Sequence, residues 1–209
     1  MKTYKLLATL LLLLPVTSCI KTSDKNIMEK EKIVTENIME RRSIRKYTSE
    51  IPSRETLDKI LECGINAPNG QNKQSWEIRV VDNPQTMDLI KEGMVKGNPG
   101  IERETICGCF RDAPVMIFIA RDTSYDFSAY DCGLMAQNIM LSAWSMGVGS
   151  ICLGSPVRFI NNNQPPCEEV LEMLGFSEGY ELSLCVGLGY ADETPEAKPR
   201  IKEKIKYLD

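Results

Sequence analysis

Two groups of basic residues stand near the ends of an otherwise acidic chain: Arg41-Arg42-Ser43-Ile44-Arg45 and Lys198-Pro199-Arg200. The chain has 25 lysines and arginines against 29 aspartates and glutamates, so cations gathered beside a hydroxyl read as a localised anion site rather than as part of a basic surface. Arginine offers forked planar donors to phosphate oxygens, lysine a point charge and serine a short hydroxyl. Together they suit a terminal phosphomonoester. Either cluster alone is also what a solvated helix end or tail presents, so the segment between them decides.

That segment contains Ala67-Pro68-Asn69-Gly70-Gln71-Asn72-Lys73-Gln74-Ser75-Trp76, a turn-rich stretch that runs into a strand-like segment, Trp76 to Val81. Several side-chain amides on one loop can pair with a heterocycle that both donates and accepts hydrogen bonds, as the pyrimidine edge of a flavin does. With these residues in hand, the chain resembles the FMN-dependent nitroreductase family. The resemblance rests on R-R-S-x-R, on the A-P-x-x-x-N-x-Q-x-W loop and on K-x-R near the C-terminus, and covers about Arg41 to Arg200. Asn69 stands where the family usually has Ser, and Ser75 where it usually has Pro, which predicts a less rigid loop.

The resemblance implies FMN as cofactor. Arg41, Arg42, Ser43, Arg45, Lys198 and Arg200 would hold its phosphate and ribityl end, some of them reaching the pyrimidine. Asn72 and Gln74 would read the ring edge, and backbone around Leu153-Gly154 would lie against the isoalloxazine near N5. Pro68, Asn69 and Gly70 would come from the other subunit of a homodimer. NADH or NADPH would be the hydride donor and a quinone, nitroaromatic or similar small molecule the acceptor, in ping-pong order. Reductive dehalogenation or dehydrogenation on the same scaffold, and a non-enzymatic flavin-binding lipoprotein, stay open as alternatives, because a fold does not fix a function.

The chain has no histidine. That removes Ser-His-Asp and Cys-His catalysis and histidine-ligated zinc, and it fits chemistry carried by a cofactor. Gly147-Val148-Gly149-Ser150-Ile151-Cys152 fails the dinucleotide fingerprint, since its sixth position is Cys152 and it follows a helix and precedes a strand. No Gly-Lys-Ser/Thr phosphate loop occurs. Cys107-Gly108-Cys109 is the only close cysteine pair, and without two further matched ligands it does not make a metal site. Cys63, Cys132 and Cys185 fall in apolar patterns, where free cysteine behaves as a small hydrophobe.

The N-terminus reads as an address. A short positive region holding Lys2 and Lys5 precedes the apolar run Leu6 to Leu14, which is short for a bilayer, and Val16-Thr17-Ser18-Cys19 follows like a lipoprotein cleavage site. Residues 1–18 are then a leader and Cys19 the lipidated first residue, placing the protein in a bacterial cell envelope through a lipid anchor alone. Losing Lys2 and Lys5 takes 25 basic residues to 23 against 29 acidic, a net charge of −6, which excludes nucleic-acid binding by bulk charge. Nicotinamide is scarce outside the cytoplasm, and this location sits in tension with that donor.

Residues 19–32 are polar and predict a tether that grades into a helix over 33–40. Residues 33–209 form one domain of about 175 residues. Within it, Ser53 caps a helix over 54–66 with a stripe of Leu57, Ile60, Leu61 and Ile65, and a second helix spans 85–96 before a loop over 97–100. Val115 to Ala120 reads as a central strand buried on both faces. Residues 128–146 form a helix apolar nearly all round, suited to a core or to a partner subunit. A last strand covers 181–187, and the charged tail from Asp192 has no core pattern. The elements predict an α+β fold around a central, mostly antiparallel sheet flanked by helices. The resemblance adds a domain-swapped C-terminal arm.

Overall fold

The computed structural model describes residues 17–161 and 167–208, with side chains from residue 25 onward. The chain divides into two units, one ending at Met39 and one running from Glu40. Most of the expected leader lies outside the described residues, as does the side chain of Cys19. Among the described residues no helix is long and apolar enough to cross a membrane.

The described part of the first unit is helical. Helix α1 runs without a break over Thr17–Glu40, where a tether was expected up to residue 32. The reason lies in composition: Lys, Glu and Met are good helix formers, and charges four apart, such as Lys32 and Glu36 at 3.7 Å, support the helix from its surface. Ile27, Met28, Ile33, Val34, Ile38 and Met39 on α1 are all exposed.

The second unit is a sheet between two helical layers. Strands β1 (Trp76–Val81), β2 (Val115–Asp122), β3 (Gly149–Leu153) and β4 (Tyr180–Gly189) form one sheet in the order β1-β2-β4-β3, and every pair is antiparallel. β2 is central. Its residues Val115 to Ala120 are fully buried, with Met116 and Phe118 entering one core and Val115, Ile117 and Ile119 the other. This two-sided burial is what its unbroken apolar run dictates.

One core is closed by helices α2 (Arg54–Ile65) and α5 (Ser128–Ser145), through Leu57, Ile60, Met135 and Ile139. The other is closed by α3 (Pro84–Gly97), α4 (Arg103–Cys107), α6 (Ser155–Asn161) and α7 (Glu168–Leu174), with Phe110 edge-on to Phe118 at 6.3 Å. Caps fix the starts of the longer helices. Ser53 Oγ accepts from Thr56 N at 3.2 Å, and Asn83 Oδ1 from Thr86 N at 2.8 Å, with Pro84 at the first helical position.

Three expectations need correction. The glycine-rich stretch after α5 does not lead to a strand but is itself β3, because Gly149 and Ser150 enter the ladder opposite Gly189 and Leu188. Ile65, expected in the buried stripe of α2, is exposed, because the face that enters the core is carried by Leu57, Ile60 and Gly64. Cys63 is exposed rather than core, whereas Cys132 and Cys185 are buried as expected. Burial pushes the Cys132 thiol up to about 11 and that of Cys109 up to about 12, so both stay protonated and inert at neutral pH.

Candidate functional site

The first basic cluster is positioned by β3. Ser43 bridges Ser150 in parallel fashion, and Ile44 N donates to Ser150 O at 3.0 Å while the Ile44 side chain is buried. Gly149 permits this approach, since a Cβ there would come within 2.8 Å of Ile44 Cγ1. The segment is held further along by Tyr47, which bridges Ala191 and donates its hydroxyl to Ile44 O at 2.8 Å, and by Asp192 N donating to Lys46 O at 2.9 Å. Arg45 N donates to the Glu193 carboxylate.

Arg41 is the centre of the cluster. Its Nη1 is buried and makes no hydrogen bond. Burial lowers its pKa, and the neighbouring guanidinium groups of Arg42 and Arg200 lower it further. The structure therefore brings Arg200, from the tail, near enough for its charge to act on Arg41. Ser150 Oγ, on the strand beside them, is also buried with no hydrogen bond. Like charges crowded around an unspent buried donor are costly in isolation and are relieved by an anion. The donor set is what a phosphate takes.

The remaining members contribute less directly. Arg42 Nη1 donates to Arg41 O at 3.0 Å, Arg45 Nη1 to Ser43 O at 3.1 Å, and Arg200 Nη1 to Lys198 O at 2.8 Å, contacts that shape the backbone presenting the charges. Lys198 is exposed. A cavity of about 420 Å³ opens nearby, lined in part by Arg42, Ile44, Trp144, Glu40 and Glu193. Its two carboxylates make it a poorer host for a phosphate than the face of Arg41.

The amide loop is built quite differently. Gln71, Asn72 and Gln74 all have positive φ, near 50°, a conformation that side-chain-bearing residues hold only when something fixes it. Several contacts do so. Asn69 Oδ1 accepts from Gln74 N at 3.0 Å, closing the loop, and Lys73 N donates to Gly70 O at 3.0 Å. Asp131, at the start of α5, accepts from Gly70 N at 3.0 Å through one oxygen and from Ser75 Oγ at 3.0 Å through the other. Tyr125 packs so closely on Gly70 that a Cβ there would lie 2.0 Å from its hydroxyl, and Lys73 Nζ sits 4.1 Å from the centre of the Tyr125 ring. The side chains of Asn72 and Gln74 point outward, and Pro68 is exposed. Ser75 thus supplies through its hydroxyl a constraint that the expectation of a less rigid loop left out.

The sheet keeps the loop and the basic cluster apart within one chain. The loop leads into β1 at one edge, whereas the cluster lies along β3 at the other. Three strand spacings separate those edges, about 14 Å. Gly154, at the end of β3, faces open space, with nothing within 4 Å of where a Cβ would stand, and Leu153 is buried beneath it. Among the described residues no group of three or more cysteine, aspartate or glutamate side chains is placed to hold a metal.

Asp131, Tyr125 and Ser150 did not emerge from sequence. Only Asp131 leaves a trace there, as a lone acid in an otherwise apolar helix.

The same fold recurs in known proteins. Residues 38–190 match the Nitroreductase family. The NADPH-flavin oxidoreductase of Vibrio harveyi is 31% identical over 177 residues, covering 81% of this chain and 70% of that protein. The FMN reductase [NAD(P)H] of Bacillus subtilis (strain 168) is 25% identical, covering 82% and 71%. Among solved structures, the nitroreductase with bound FMN from Desulfitobacterium hafniense DCB-2 superposes with a TM-score of 0.74 at 34% identity, over 84% of this chain and 98% of that one. A family match over residues 38–190, with a solved structure of the same fold at 34% identity, shows that this chain belongs to the nitroreductase family.

Proposed function

We propose that the protein is an FMN-dependent NAD(P)H oxidoreductase. The observation that carries the reading is the buried, unpartnered Nη1 of Arg41, set among Arg42 and Arg200 beside the unpartnered Ser150 hydroxyl. These residues fit a terminal phosphate, and the relatives that match this chain include an FMN reductase and a structure holding FMN. When bound, FMN would supply hydride transfer between a reduced nicotinamide and an acceptor such as a quinone or nitroaromatic, in two half-reactions. Arg41, Arg42, Ser43, Arg45, Lys198 and Arg200 neutralise and orient the phosphate and ribityl end. Gly154 leaves room for a planar ring over the end of β3.

The site is shared by two chains in this reading. Pro68, Asn69, Gly70, Asn72 and Gln74 lie at the sheet edge opposite the cluster, so the whole loop serves the site of the partner rather than its own. Exposed Tyr130 and Leu134 on α5 and the apolar residues of α1 support burial against a second copy. The envelope anchor through Cys19 is part of the same proposal. A Cys19→Ala variant is expected to leave the membrane fraction or remain unprocessed, and unchanged fractionation with an unmodified mature N-terminus contradicts it.

The test of function is direct. Purified protein is expected to release FMN on denaturation, and NADH or NADPH is expected to bleach the bound chromophore without oxygen. Colourless protein that takes up no added FMN overturns the reading.

A further inference from the structure

We propose that Asp131 is the positioning residue of the amide loop, and that its bond to Ser75 sets affinity for the flavin ring while leaving affinity for the phosphate untouched. The inference rests on the flavin reading above. Asp131 is only 4% exposed and Ser75 only 2%, so the pair is shielded from competing water. One carboxylate holds both ends of the turn: Oδ1 accepts from Gly70 N and Oδ2 from Ser75 Oγ, each at 3.0 Å. Between those two anchors lie Gln71, Asn72 and Gln74, the residues with left-handed backbone.

A segment in that conformation relaxes when released, because side-chain-bearing residues leave the left-handed region readily. The outward amides of Asn72 and Gln74 depend on that backbone for their direction. Asp131 itself is rooted. Its own N–H donates to Phe127 O at 3.0 Å, and the next residue, Cys132, is fully buried against β2, with its thiol 3.6 Å from Ala120 O. The carboxylate therefore transmits the rigidity of α5 and the sheet to an otherwise exposed turn. Nothing in this linkage touches Arg41 or Arg200, which belong to the opposite sheet edge.

The test uses the full-length protein and three variants, Ser75→Ala, Asp131→Ala and Asp131→Asn, titrated with FMN and with riboflavin. Ser75→Ala and Asp131→Ala are expected to weaken both flavins by the same factor, about tenfold or more, the scale of one lost charge-assisted bond. Asp131→Asn restores most of the affinity, because its Oδ1 still accepts from Gly70 N and its amide can donate to the Ser75 hydroxyl. In flavin-free Ser75→Ala protein, hydrogen exchange at the Gly70 amide is expected to rise by a similar factor while core amides keep their protection. If Asp131→Ala does not fold, Ser75→Ala alone decides. Wild-type affinity and wild-type Gly70 exchange in Ser75→Ala overturn the inference, as does a loss confined to FMN. A wild-type protein that binds neither flavin overturns the parent reading, and this one with it.

Discussion

Replacing Arg41 and Arg200 together by alanine is expected to weaken FMN binding by about 3–6 kcal/mol, or roughly 10²–10⁴-fold, since each charge-assisted contact contributes about 1.5–3 kcal/mol. The two sit near enough for the charge of one to lower the pKa of the other. Binding of phosphate removes that repulsion as well as forming the contacts. The protein itself should not suffer, because the variant deletes a buried unpartnered donor and an exposed tail residue. Isothermal titration of flavin-free protein measures the loss, and thermal unfolding checks that the fold is intact. Retention of full affinity in the double variant contradicts the phosphate assignment.

The second large effect concerns assembly. A chain carrying Arg41→Ala and Arg200→Ala has a disabled cluster; a chain carrying Asn72→Ala and Gln74→Ala has a disabled loop. Each alone is expected to hold little flavin. Co-expressed with different tags and purified through both, they form a heterodimer in which one site receives both intact halves and the other both defective ones. Such protein should bind flavin at roughly half of its sites with wild-type affinity. The arithmetic follows from the sheet order, which puts the loop of β1 and the cluster beside β3 on opposite edges of one chain. A heterodimer that binds no more flavin than its parents shows that each chain builds its own site.

Much of this was legible in the residues. The run Val115 to Ala120 reads as a strand buried on both faces, as found, and Ser53 with the stripe of Leu57, Ile60, Leu61 and Ile65 fixed α2 to within a residue, although Ile65 is exposed. The basic clusters stood out by residue type alone. What sequence could not convey was convergence. Arg41 and Arg200 meet only because residues 43–48 and 190–192 pair beside β3 and β4.

Short elements were also hidden. Helices α6 and α7 have seven residues each, too few for a helical period to declare itself. Strand β3 escaped notice because glycine and serine carry weak strand preference and its place is set by the ladder with β4. Asp131 illustrates the same limit at the level of one residue. Its importance comes from two bonds to residues 61 and 56 positions away, and no local pattern encodes them.

The central claim is that a terminal phosphate at Arg41 and Arg200 holds the cofactor. Its most direct test compares FMN with riboflavin, which has the same ring and lacks only the phosphate. Wild-type protein should bind FMN at least about 100-fold more tightly than riboflavin, and the Arg41→Ala/Arg200→Ala protein should bind the two nearly alike. Equal affinity of the wild-type protein for both flavins would contradict the account.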